Sequence, residues 1–203
     1  MNVQLAQGRR CAKGWSSLAI MNKETKQNVL WFTNDPLLVK SDNRRVLEPH
    51  SERHLRLIAA GGERRDASYA DGAYKISPGS YGAATAGRIP RNVLTMGHNC
   101  PDSREYRKNA AKLGLPAHGA PFPISLPDFL IRFLTEPGDL VVDPFGGKLT
   151  TAKAAERLGR KWFTTEWILE YIRGAAEGFR SAQGFWMNSS MEAVRNTVKE
   201  ELQ

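Results

Sequence analysis

The sequence predicts an α/β fold: an open parallel sheet with flanking helices, preceded by a basic, loop-rich segment. Three observations lead to it. Residues 138–167, GDLVVDPFGGKLTTAKAAERLGRKWFTTEW, run through strand, glycine turn, helix and strand in the manner of a βαβ unit. Glu166 stands at the tip of the second strand, about 20 positions past the glycine turn, where nucleotide-binding sheets hold a ribose hydroxyl. Charge is partitioned: residues 1–117 carry 19 Lys and Arg against 10 Asp and Glu, residues 118–203 carry 10 against 11, so the whole net charge of +8 resides in the first segment. A basic segment beside a near-neutral sheet unit suits a polyanionic partner.

A length of 203 residues gives one ordinary domain and little more. No run of about 18 apolar residues is present, so no membrane span is expected. The cysteines, Cys11 and Cys100, lack metal spacing and suit a reducing cytoplasm. His50, His54, His98 and His118 show no ligand spacing either, and no metal is expected.

In chain order, residues 1–22 are uninformative and Asn28–Thr33 is rich in strand formers. Asn34-Asp35-Pro36 is a turn. The densest basic cluster follows: Lys40, Arg44, Arg45, Arg53, Arg56, Arg64 and Arg65, with a short helix over Ser51–Ile58. Residues 61–92 are loop-rich, and Tyr69, Tyr74 and Tyr81 interleave there with Arg64, Arg65, Lys75 and Arg88. These arginines suit phosphate and base contacts; the plainer alternative is a solvated surface paired with Glu48, Glu52 and Glu63. Val93-Leu94 enters a short strand. Leu126, Phe129, Leu130, Phe133 and Leu134 repeat at helical spacing, and Pro137-Gly138 ends that helix. Asp139–Val142 reads as a strand buried on both faces. Thr150 and Thr151 are expected to cap the next helix, Ala152, Ala155 and Leu158 to form its core face, and Gly159 to stop it. Lys161–Thr165 is the second strand. Ile168, Tyr171, Ile172, Ala175 and Phe179 mark a further helix, and Glu192–Leu202 a peripheral one.

The glycine turn narrows the ligand. A phosphate loop needs G-x-x-x-x-G-K-[ST], but Val142 stands at the first glycine and Leu149 follows Lys148. A dinucleotide turn needs G-x-G-x-x-G, which Gly146–Thr151 does not supply. A ligand with a ribose and no pyrophosphate remains, and S-adenosylmethionine is the obvious candidate. A plain βαβ unit, its glycines serving only the turn, is the other reading.

Asp143-Pro144-Phe145-Gly146-Gly147, Thr150-Thr151-Ala152, Leu158-Gly159-Arg160 and Glu166 resemble the cofactor motifs of the DNA amino-methyltransferases, which act on N6 of adenine or N4 of cytosine. His118-Gly119-Ala120-Pro121-Phe122-Pro123 resembles the same family's H-x-A-x-F-P segment, which precedes the glycine motif in the permuted (beta-class) branch. Asp42–Leu47 and Ile89–Leu94 resemble linking segments of that branch more loosely. The resemblance implies a Rossmann-like methyltransferase sheet, here partial, and a site-specific methyltransferase of the restriction–modification kind. It implies S-adenosylmethionine held by His118, Ala120, Phe122, Asp143, Pro144, Phe145, Gly146, Gly147 and Glu166. It implies double-stranded DNA as partner, contacted by Arg44, Arg45, Arg53, Arg64, Arg65 and Arg88. Residues 1–117 then serve target recognition and residues 118–203 cofactor binding.

Two departures stand out. The family's [DNS]-P-P-[YFW] turn, which accepts hydrogen bonds from the target amino group, has no counterpart, because no Pro-Pro dipeptide occurs. The expected arrangement is the C-terminal part of such an enzyme, lacking catalytic residues and completed by an N-terminal half; a non-catalytic DNA-binding remnant is the alternative. Second, Lys148 and Leu149 replace the family's common serine and glycine, and Leu149 is expected to narrow the cofactor pocket.

Overall fold

The computed structural model describes residues 2–6, 16–21, 26–97, 99–189 and 191. The expected helix over 192–202 and His98 lie outside them. Strands and helices follow in the order β1 (Asn2–Ala6), β2 (Ser16–Met21), β3 (Lys26–Trp31), α1 (Glu52–Ala59), β4 (Ala67–Tyr69), β5 (Tyr74–Ile76), β6 (Val93–Thr95), α2 (Pro101–Lys112), α3 (Ser125–Leu134), β7 (Leu140–Asp143), α4 (Thr150–Arg157), β8 (Lys161–Thr164) and α5 (Leu169–Ala176). They form two compact units: Asp42–Arg91, and Met1–Ser41 together with Asn92–Gln203.

In the larger unit, β1, β3, β2 and β6 close into a small barrel, with β2 antiparallel to both β1 and β3. Leu94 of β6 is buried against Leu126 of α3, with Val29, Phe122, Phe129 and Leu130 around them. The β7–β8 pair is a separate two-stranded parallel sheet, in register from Leu140↔Lys161 to Asp143↔Thr164. Such a pair needs a crossover helix, and α4 supplies it. Alanines at 152, 154 and 155 let α4 lie close to the sheet, where Ile131, Val141, Leu158 and Trp162 complete one core cluster. A second cluster joins α2, α4 and α5 through Tyr106, Leu149, Ala152, Ala175 and Phe179. Arg160 is buried and ties the helix ends together: its guanidinium donates to the carbonyl of Thr135 (2.8 Å), after α3, and to that of Leu158 (2.6 Å), after α4. Helix C-termini leave carbonyls unpaired, and a cation there is favourable.

Three expectations are corrected. The β7 strand is not buried on both faces: β7 and β8 each alternate exposed and half-buried, because among the described residues helices cover one face only. Neither threonine caps α4; Leu149 occupies the N-cap in a left-handed conformation without a side-chain hydrogen bond, and Thr150 is buried. Residues 101–112, unassigned from sequence, form α2, entered through Pro101 with Asp102 in its first turn.

The smaller unit contains α1, capped by the Ser51 hydroxyl accepting from the His54 amide (3.3 Å), and the β4–β5 hairpin within the loop-rich stretch. Its ends are joined by paired backbone hydrogen bonds between Glu48 and Arg88, both 2.9 Å.

Candidate cofactor site at the glycine turn

β7 delivers Asp143 to the carboxyl edge of the sheet, and β8 delivers Thr164, Thr165 and Glu166 beside it. The chain then crosses from β7 to α4 directly over the end of β8. The Gly146 amide donates to the Thr165 carbonyl (2.8 Å), the Thr165 amide to the Asp143 carbonyl (3.1 Å), and the Thr165 hydroxyl to the Pro144 carbonyl (2.8 Å). Only glycine fits at 146, since a Cβ there would lie 2.2 Å from the Thr164 hydroxyl oxygen. The Asp143 carboxylate accepts from the Phe145 amide (3.0 Å), fixing the first bend.

Glu166 closes the arrangement. One carboxylate oxygen accepts from the Gly147 amide (2.6 Å) and the other from the Ile168 amide (3.0 Å). These amide bonds, that from Ile168 foremost, hold its pKa below the ordinary glutamate value. Glu166 is therefore an ionised acceptor at neutral pH, and each oxygen keeps a lone pair for a further donor.

His118 lies against Gly147: a Cβ on that glycine would sit 3.1 Å from Nε2. The imidazole meets Tyr171 edge to face, with centroids 4.9 Å apart, and its buried Nδ1 has no hydrogen-bond partner. The Tyr106 hydroxyl accepts from the His118 amide (3.0 Å). Tyr106, missed from sequence, thus ties α2 to the H-x-A-x-F-P segment. The signal was available in the i, i+3, i+7 spacing of Ser103, Tyr106 and Ala110, all three buried.

Of the sequence-proposed cofactor residues, the structure gathers His118, Asp143, Gly146, Gly147 and Glu166 around the turn. Pro144 bonds to it through its carbonyl, and Phe145 projects beyond it, 85% exposed. Ala120 is exposed, while Phe122 packs on the Leu94–Leu126 cluster. Leu149 does not narrow the pocket. At φ +57° its side chain turns into the core with Tyr106, Ala152, Ala175 and Phe179, and is 6% exposed. Lys148 is buried too, donating to the Ser103 hydroxyl (3.0 Å), and desolvation lowers its pKa.

The six arginines proposed for nucleic acid all fall in the smaller unit. Arg44 pairs with Asp42 (2.8 Å), Arg65 with Glu63 (3.3 Å) and Arg88 with Glu48. Arg45 is half-buried beside Arg44, and Arg53 and Arg64 are exposed. Tyr69, Tyr74 and Tyr81 are each about half exposed. Among the described residues no His, Cys, Asp and Glu cluster could hold a metal, and no helix is long and apolar enough to cross a membrane.

Comparison with known proteins fits this geometry. The N6/N4 methyltransferase family, described as DNA methylase, matches residues 7–177. Type II methyltransferase M.PvuII of Proteus hauseri is 39% identical over 153 residues, 75% of this chain and 44% of that protein. The solved PvuII DNA methyltransferase, cytosine-N4-specific, aligns at 39% identity over 55% of this chain and 39% of its own, with a TM-score of 0.42. A DNA modification methylase from Thermus thermophilus, solved in complex with S-adenosyl-L-methionine, aligns at 28% identity over 50% of each chain, with a TM-score of 0.31. The chain thus spans less than half the length of M.PvuII. With the family matched over most of its length, this chain belongs to the N6/N4 DNA methylases.

Proposed function

We propose that the chain forms the S-adenosylmethionine-binding part of a site-specific DNA amino-methyltransferase acting on adenine N6 or cytosine N4. The observation that carries this is Glu166: an ionised carboxylate at a strand end, held by two backbone amides against the glycine turn. The residues fit the cofactor. Glu166 has acceptor capacity for ribose hydroxyls, the unpartnered Nδ1 of His118 borders the same turn, and Leu149 leaves it open. In this reading Glu166 grips the ribose, Asp143 and the Phe145–Gly147 backbone shape the turn, and His118 packs against Gly147. When bound, the cofactor supplies an electrophilic methyl group.

Methyl transfer also needs acceptors that hold the flipped base by its amino group. This chain contains no Pro-Pro-aromatic turn to provide them, so they come from polypeptide outside this sequence. Residues 42–91 contact duplex DNA, with Arg53 and Arg64 the arginines presented to it. The test is tritiated methyl incorporation into duplex DNA, by the chain alone and by the chain co-expressed with the part of M.PvuII outside the match. Incorporation only in the second case is expected. Robust turnover by these 203 residues alone would overturn the reading.

A further inference from the structure

The two faces of the β7–β8 sheet differ sharply. Val141 and Trp162 point into the core beneath α4. On the opposite face, Val142 and Phe163 are cross-strand partners, 56% and 58% exposed, and Leu140, 59% exposed, sits beside Lys161. Phe145 and Trp167, just past the strand ends, are 85% and 98% exposed. A strand pair placing valine, leucine and phenylalanine together on an open face is unusual, because parallel sheets are covered on both sides. Both strands are also edge strands, each with an unpaired row of backbone donors and acceptors.

We propose that this outer face, Leu140, Val142 and Phe163, is the docking surface for the polypeptide that carries the acceptor turn, which lays an apolar helix across it and extends the sheet beyond an open edge. This rests on the function proposed above. Two observations select that occupant. The chain spans 44% of M.PvuII, so a methylase of that family has more than half of its length available to form the second layer. Residues 118–203 carry a net charge of −1, so the unit bearing this face offers a partner apolar contact rather than electrostatic attraction. Lys161, at the margin beside Leu140, suits a carboxylate at the rim of the partner helix.

The test is co-purification of the untagged M.PvuII part, co-expressed with this chain carrying an affinity tag. The unmodified chain and Leu37→Glu, a control 91% exposed elsewhere, are expected to retain it, and the double variant Val142→Glu/Phe163→Glu to lose it. Independently, Val142→Cys is expected to react with a maleimide in the free chain and to be protected in the complex. Retention by the double variant, full labelling of Val142→Cys in the complex, or no co-purification with the unmodified chain would each overturn the proposal. So would a homodimer of this chain that the double variant dissolves, since the occupant would then be a second copy. S-adenosylmethionine calorimetry on the same variants separates the two readings: intact cofactor binding with failed docking removes this inference alone.

Discussion

Replacing Leu149 by glycine is a sharp test of the turn. The substitution restores the residue common in the family and removes a left-handed conformation that costs a leucine roughly 1–2 kcal/mol. Yet the side chain is 6% exposed in a five-residue core cluster, and emptying such a site costs about 2–5 kcal/mol. Glycine adds about 0.5–1 kcal/mol of unfolded-state entropy. The balance is a loss of about 2–3 kcal/mol. Leu149→Ala empties the same site but keeps the strain, so it should be about 1 kcal/mol less stable than Leu149→Gly, reversing the usual order of alanine and glycine. Urea denaturation of the three proteins measures both differences. Cofactor affinity, by calorimetry on folded protein, should not rise in Leu149→Gly, because the side chain does not occupy the pocket. A glycine variant as stable as the parent, or one that binds S-adenosylmethionine tenfold more tightly, would refute the placement of Leu149.

Three other outcomes are expected. Lys148→Met should be neutral or stabilising in thermal melts, since an apolar chain replaces a buried ammonium bonded to Ser103, and the parent alone should gain stability as pH rises through the depressed Lys148 pKa towards 10.5. Burial raises the Asp102 pKa, but Arg157 and Lys153 outweigh it and lower it below 3.8; its stabilisation is thus complete above that value and lost as pH falls through the folded-state pKa, and Asp102→Asn should flatten acid melts in that window. Duplex binding should show a log K against log salt slope of about −3.6 for about four phosphates, and neutralising Arg53 and Arg64 should flatten it more than neutralising Arg44, which Asp42 already pairs.

The βαβ unit was legible because its signals are local: an apolar run, a glycine turn, alanines at helical spacing and a terminal glutamate. The amphipathic α3 and the Ser51-capped α1 were legible for the same reason. What escaped depends on tertiary packing. Whether Val142 is covered depends on a second layer that strand composition does not encode. Leu149 looked like an obstruction because sequence gives its size but not its direction, which the left-handed backbone sets. Tyr106 reaches its partner, His118, across twelve residues through a helix that polar spacing concealed. The arginine cluster read as uniformly basic, whereas Asp42, Glu48 and Glu63 pair with half of the six proposed contacts.

The central claim is that Glu166 and the glycine turn hold S-adenosylmethionine, and isothermal calorimetry of the unmodified chain beside Glu166→Ala tests it most directly. Binding by the parent, weakened about 10- to 100-fold in the variant, is the expected result, corresponding to loss of hydrogen bonds to a charged acceptor worth about 1.5–3 kcal/mol. Equal affinities for the two proteins, or no binding by the parent, would contradict it.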